Sequence, residues 1–245
     1  MNYFEKAQPG HFYAVGVGPG APDLVTLRAA RLVETADLII APRSSKASES
    51  LAVTAIRPLL CGQELIENSY PMERDQEATR HCWGEMADLV VQRCRQGQAV
   101  VQITIGEPLF YSTSAYLLEA LANRMSADTI HLVPGISAMQ AAAACFGDPL
   151  TMQDDRLMLM PAVRLDEVAK ALEQCETVVL YKVGPRLKAL TGLLAQKGLL
   201  DRARLVCHVE QEGREVIVSR LTDDLPDAMG YMSTVIVQLG RKGWE

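Results

Sequence analysis

The sequence predicts two α/β domains, and three observations carry that reading. Through the first half of the 245-residue chain, β-branched strand-like runs alternate with helix-length segments. Three of those runs end in Gly/Pro turns followed by a helix start rich in small residues. Beyond about Asp128 the texture becomes richer in strand, which suggests a mixed sheet and a second unit over residues 128–245, after a first over 1–127.

Taken in order, strand-like Tyr13 to Val17 leads into a helix from Leu27 to Thr35, for which Thr26 supplies an N-cap hydroxyl. The apolar run Leu38 to Ala41 is a strand. Helical periodicity follows over Ser48 to Ile56 and Gln76 to Arg95, then a strand over Ala99 to Thr104, a helix over Ser114 to Asn123 and a strand over Thr129 to Val133. In the second half, helices Asp166 to Gln174 and Pro185 to Gln196 alternate with strand-like Leu157 to Met160, Thr177 to Tyr181 and Arg204 to Val209. Val216 to Ser219 and Thr234 to Leu239 then come with little helix between them.

Composition narrows the function classes. Hydrophobic residues at 49% and charged residues at 22% mark an ordinary globular chain with a sizeable core. No apolar run reaches membrane-spanning length, and Met1 to Gly10 lacks the basic-then-apolar layout of a signal peptide, so a cytoplasmic address with no membrane contact is expected. Cys61, Cys82, Cys94, Cys145, Cys175 and Cys207 are widely spaced and read as free thiols, with neither a disulfide framework nor a structural zinc. A net charge of -6 argues against a nucleic-acid partner, because phosphate neutralisation needs a basic face. His11, His81, His131 and His208 are scattered and read as structural, with no metal site. Met158 and Met160 alternate with leucines as core residues, and Trp83 packs against the sheet or a subunit partner.

The first turn, Gly16-Val17-Gly18-Pro19-Gly20-Ala21, satisfies the loose glycine pattern of dinucleotide sites, with Asp37 downstream as the ribose acid. Two details spoil the match. Pro19 and Pro22 lack the amide donors that a pyrophosphate needs, and Asp37 precedes the second strand instead of closing it. The loop suits carbonyls and close packing. A second turn, "GEPLFYSTS" from Gly106 to Ser114, and a third, "PGISAMQAAAA" from Pro134 to Ala144, join it to build a crevice at the carboxyl edge of one sheet, where a small molecule binds.

These three segments together resemble the tetrapyrrole methylase family, and the likeness runs over nearly the whole chain. "VGVGPGAPDLVTLRAARLVETADLII" is similar to that family's proline-containing first loop, "GEPLFYSTS" to its GDP loop, with Glu107 in place of the aspartate, and "VPGISAM" to its third segment. Within the family, "APRSSKASESLA", "YPMERD" (Tyr70 to Asp75) and "YST" look like the methylases that act at C20 of precorrin-2 or cobalt-factor II in cobalamin synthesis. The resemblance implies two α/β domains with an S-adenosylmethionine site in the cleft between them, a tetrapyrrole substrate and a homodimer. It places Pro19, Gly106, Tyr111, Ser112 and Thr113 of the first domain, and Ser137, Tyr181, Lys182, Ser233 and Thr234, at the cofactor, with Val206 to Val209 near its adenosine.

Methyl transfer from a sulfonium to a ring carbon is an in-line displacement, served by positioning and by carbonyl dipoles aimed at the cation. Glu107 and Tyr111 are the candidates, by position, for removing the ring proton. Ring carboxylates call for local cations, and Arg43, Lys46, Lys182 and Arg186 lie in or beside strand-end loops. For the dimer, the helix Gln76 to Arg95 offers Trp83, Met86, Leu89 and Val90. A methylase of the same fold acting on another ring carbon, uroporphyrinogen III, an rRNA ribose or a diphthamide precursor, and a non-catalytic nucleotide-binding module, are the alternatives.

Overall fold

The computed structural model describes residues 6–44, 47–69, 76–222, 225 and 230–240, with side chains in the third helix described from Arg80 onward. Two compact α/β units divide the chain, Met1–Ser137 and Ala138–Glu245. The division falls ten residues beyond the 127/128 boundary read from the sequence because the strand at Ile130–Val133 pairs with the first strand of the chain.

The first unit runs β1 (Phe12–Gly16), α1 (Leu27–Thr35), β2 (Leu38–Arg43), α2 (Leu51–Ile56), β3 (Glu64–Ser69), α3 (Gln76–Arg95), β4 (Val100–Thr104), α4 (Ser114–Leu121) and β5 (Ile130–Val133). Its sheet is parallel throughout, in the order β3-β2-β4-β1-β5. The inner strands are buried on both faces, as their near-continuous apolar runs require. Tyr13, Val15, Ile39, Val101 and Ile103 pack with α1 and α2. Phe12, Ala14, Leu38, Ile40 and Val100 face α3 and α4. Thr26 caps α1 as expected, its Oγ1 accepting from the Ala29 amide at 3.2 Å.

Strand β3 escaped the sequence reading. Glu64, Glu67 and Asn68 are poor strand formers, and the segment is extended because it pairs with the apolar β2 at the sheet edge. The apolar stripe of α3 is also used differently from expectation. Trp83, Met86 and Val90 are 4%, 5% and 0% exposed inside the unit's own core, with Leu89 packed against it, so these side chains are not interface material. A helix laid on a sheet needs that stripe to cover the sheet. Trp83 stacks on Tyr116 of α4, with ring centroids 5.9 Å apart.

The amino edge of this sheet is pinned by polar contacts. Asp37 Oδ2 accepts from the Ala99 amide at 2.8 Å and the Asp37 amide donates to the Ala99 carbonyl at 3.0 Å, tying the entries to β2 and β4 together. His11 Nδ1 and His131 Nε2 lie 2.8 Å apart with their rings within 3° of parallel, which joins the entry of β1 to β5. Both histidines have structural partners, in line with the sequence reading.

The second unit runs α5 (Ala138–Phe146), β6 (Leu157–Pro161), α6 (Leu165–Ala171), β7 (Thr177–Tyr181), α7 (Leu187–Gln196), β8 (Ala203–Cys207), β9 (Val216–Val218) and β10 (Ser233–Gln238). The sheet order is β6-β7-β10-β8-β9, and it is mixed: β6 and β7 are parallel, while β10 runs antiparallel to both β7 and β8. Helices α6 and α7 cover one face over Val178, Leu180, Leu205 and Val235. Helix α5 covers the other over Val179, Val206 and Ile236.

Among the described residues no helix is long and apolar enough to cross a membrane, and no group of three or more His, Cys, Asp or Glu side chains is placed to hold a metal ion. None of the six cysteines is in a disulfide, and burial pushes the Cys94 and Cys207 thiols up to about 11, so they stay protonated.

Arg156 and Glu176 clamp the entries to β6 and β7. The carboxylate accepts from Arg156 Nη2 at 2.9 Å, from its Nε at 3.1 Å and from its backbone amide at 2.8 Å. The Arg156 side chain, seconded by that amide, holds the Glu176 carboxyl down at about 2. A folded-state pKa below the unfolded value adds stability that is present above the unfolded carboxylate pKa, about 4.3, and is lost as pH falls toward about 2. Urea unfolding of Glu176→Gln across that window is expected to show a lower neutral-pH midpoint and a shallower acid decline than the parent. Parallel curves would remove the clamp from the acid response.

Candidate functional site

In a parallel sheet all carboxyl ends share one edge, and β4, β1 and β5 are neighbours. The three Gly/Pro turns are therefore side by side, as the sequence reading required. They touch through backbone. A Cβ built on Gly16 would lie 2.5 Å from the Gly106 carbonyl oxygen and 2.7 Å from the Gly135 amide nitrogen, and one on Gly135 would overlap that same carbonyl. Only glycine permits this approach. The first two turns are also bonded: the Gly106 amide donates to the Gly18 carbonyl at 2.7 Å, and the Val17 amide to the Thr104 carbonyl at 2.9 Å.

Glu107 ties the second turn to the third. Its Oε2 accepts from the Gly135 amide at 2.9 Å and its Oε1 from the Leu109 amide at 3.2 Å. Both of its carboxylate oxygens are thus engaged in holding the loops. Ser112 has a similar task, its hydroxyl lying 3.1 Å from Thr104 Oγ1 and accepting from the Ser114 amide at 3.1 Å. Tyr111 between them is left-handed at φ 52 and 48% exposed, an uncommon conformation for a bulky residue and one that concentrates at functional loops. Thr113 precedes α4, and Ser137, buried, ends the unit.

The first loop lacks amides at two positions, and its Gly18, Ala21 and Pro22 carbonyls are themselves taken by the Gly106, Leu24 and Val25 amides. Pro19 and Pro22 have no amide, and the Val17 amide is committed to Thr104. Asp37 lies at the opposite, amino edge, where its carboxylate holds Ala99, so it cannot reach a ribose beside these glycines. The dinucleotide pattern thus fails in geometry as well as in sequence.

The second unit gathers its own set. Because β10 is antiparallel to β7 and β8, its first residues lie beside their last ones: Thr234 pairs with Tyr181 and Val206, and Ser233 with Cys207. Ser233 and Thr234 are buried, and Ser233 Oγ accepts from the Gly184 amide at 2.8 Å. The Tyr181 hydroxyl accepts from the Met139 amide at 2.9 Å, at the start of α5. Lys182 follows at φ 59, its ammonium 5.7 Å from the Tyr231 ring centroid.

Arg43 ends β2 at the first unit's carboxyl edge, but it already has partners. Its Nε is 3.4 Å from a Glu67 carboxylate oxygen and its Nη1 donates to the Ala47 carbonyl at 3.0 Å. Lys46 and the segment Tyr70 to Asp75 lie outside the described residues. Arg186, exposed, is the last residue of the 3-10 turn Gly184–Arg186 that comes shortly after Lys182. One residue went unchosen in the sequence: His208, immediately after β8, is left-handed at φ 50 and its Nδ1 is 3.0 Å from Gln211 Oε1. No composition or spacing signal marks a non-glycine residue for that conformation.

Residues 11–223 match the family model for Tetrapyrrole (Corrin/Porphyrin) Methylases. The chain is 32% identical over 240 residues to the cobalt-precorrin-2 C(20)-methyltransferase of Salmonella typhimurium, covering 96% of this chain and 98% of the relative. It is 29% identical to the precorrin-2 C(20)-methyltransferase of Sinorhizobium sp, covering 96% of each. Among solved structures, a cobalt precorrin-4 methyltransferase superposes with a TM-score of 0.70 at 22% identity, covering 94% of this chain and 95% of that one. A uroporphyrin-III C-methyl transferase from Thermus thermophilus, complexed with S-adenyl homocysteine, gives 0.64 at 19% identity, covering 93% and 97%. At those identities the structural likeness establishes the fold.

The three-glycine contact and its Glu107 tie make a test. Gly135→Ala is expected to lower unfolding free energy by about 1–3 kcal/mol through overpacking. Glu107→Gln is expected to lower it by about 1–3 kcal/mol, since an amide keeps one acceptor oxygen and turns a donor on one of the two backbone amides. Urea denaturation of both variants measures this, and unchanged midpoints would show that the turns are held by something else.

Proposed function

The chain belongs to the tetrapyrrole (corrin/porphyrin) methylases, and from that premise we propose that it is an S-adenosylmethionine-dependent C-methyltransferase adding a methyl group at C20 of precorrin-2 or cobalt-factor II in cobalamin biosynthesis. The observation that carries this reading is the near-full-length likeness, at 32% identity, to a relative named for that reaction. Its setting is the cytoplasm.

S-adenosylmethionine would supply a methyl group on a cationic sulfur. The residues present fit such a group. Pro19 and Pro22 remove two amides from the first loop, which disfavours a phosphate, and the run Gly16 to Pro22 offers no side-chain nucleophile that could itself be methylated. Gly106, Ser112 and Thr113 in the first unit, Ser137 at its end, and Tyr181, Lys182, Ser233 and Thr234 in the second, form the proposed binding set. Arg43, Lys182 and Arg186 would meet ring carboxylates; for Arg43 this means competing with Glu67. Glu107 acts by holding the second and third turns in register. Tyr111, exposed and aimed by its strained backbone, is the proposed group beside the reacting carbon.

Incubating the purified protein with methyl-labelled S-adenosylmethionine and each ring, followed by mass and NMR analysis, is expected to show one labelled methyl at C20. Calorimetry alongside is expected to show saturable S-adenosylhomocysteine binding. Label at another ring carbon would overturn the site of methylation, and saturable NAD binding without a response to S-adenosylhomocysteine would overturn the cofactor.

The proposed assembly is a homodimer, built from surfaces other than the apolar stripe of α3. Light scattering at micromolar concentration is expected to give twice the 26.8 kDa chain mass; a monomer there would remove the dimer.

A further inference from the structure

Strand β4 carries an amide where its neighbours are aliphatic. By the alternation of strand side chains, Val100, Gln102 and Thr104 face α3 and α4, opposite to Val101 and Ile103. Along the same face β1 shrinks in step, with Phe12 beside Val100, Ala14 beside Gln102 and Gly16 beside Thr104. The side chains on β1 become smaller toward the carboxyl edge as those on β4 become polar.

Gln102 is fully buried, and among the described residues neither its Oε1 nor its Nε2 has a hydrogen-bond partner. Ser114, the first residue of α4, shares a helix face with Leu117 and Leu121, which pack in the cluster that contains Ala14 and Val100. Its hydroxyl therefore points into the layer that holds Gln102. It too is fully buried and without a partner among the described residues. Beside these two groups run the satisfied contacts of Thr104 and Ser112, and of Ser112 with the Ser114 amide.

A buried amide and a buried hydroxyl that forgo their hydrogen bonds destabilise a fold unless something replaces the water they left. Protein atoms already cover both groups, so a ring substituent does not reach them and a guest must be of water's size. Gln102 and Ser114 each donate and accept, and a water molecule complements both at once. We propose that Gln102 and Ser114 share one buried water, which binds the first turn of α4 to the middle of β4. Ser112 continues the link to the second turn.

The test is a double-mutant cycle of Gln102→Leu, Ser114→Ala and the pair, read by urea unfolding and by oxygen-17 relaxation dispersion for long-lived internal water. Each single substitution is expected to lower the midpoint and remove one long-lived water. The double variant is expected to fall little further than the more damaging single one, because both lose the same guest. A higher midpoint for Gln102→Leu, additive losses, or an unchanged count of long-lived waters would each overturn the proposal. Should Gln102→Leu fail to fold, the water count of Ser114→Ala decides alone.

Discussion

Backbone touching backbone at Gly16, Gly106 and Gly135 is the constraint on which the first unit's functional edge depends. Of three neighbouring parallel strands, β1 ends on Gly16, and β4 and β5 are each followed two residues later by a glycine, Gly106 and Gly135, where their exit loops cross. A side chain at Gly16 or Gly135 would push the turns apart and break the Gly18–Gly106 bond. With the turns in contact, peptide dipoles from three loops are delivered to one place by a rigid sheet, which is the kind of preorganisation that favours a charge developing or moving there.

Glu107 then acquires a physical meaning that its position in the motif does not convey. A carboxylate that accepts two backbone amides from two turns is a brace, and the charge strengthens both bonds. The family aspartate resembled by this segment is one methylene shorter. Glutamate here spans from Leu109 to Gly135, so the longer side chain is consistent with bracing across the loops, while Leu109, Phe110 and the left-handed Tyr111 are exposed on the same loop.

How much of this was legible in the sequence follows from which forces act locally. The Gly/Pro turns, the Thr26 cap and the parallel pattern of the first half all stood out, because residue type fixes backbone freedom and periodicity fixes the buried face. Strand β3 did not, since Glu64 and Glu67 become extended only by pairing with β2. Nor did the destination of the α3 stripe: periodicity marks Trp83 and Met86 as buried without saying whether by the unit's own sheet or by a partner. The unit boundary was missed because β5 is local in sequence to the second unit and bonded to the first. Arg43 was readable as a loop cation, while its engagement by Glu67 is a contact between strands that no local pattern encodes.

The second unit reaches a comparable gathering of strand ends by a different route. An antiparallel β10 between β7 and β8 places the beginning of one strand against the ends of two others, so Ser233 and Thr234 meet Tyr181 and Val206 without any glycine contact. Side-chain hydroxyls take the place of bare peptide, and two of them, on Tyr181 and Ser233, already fix neighbouring turns through backbone amides. The chain leaves β7 and β8 through left-handed Lys182 and His208, conformations that cost non-glycine residues about 1–3 kcal/mol each. Strain of that size persists only where the surroundings over-determine it. Here those surroundings are the β10 pairing on one side and the Tyr181–Met139 and Ser233–Gly184 bonds on the other, so the positions of Lys182 and His208 are set by the sheet and not by the loops they open.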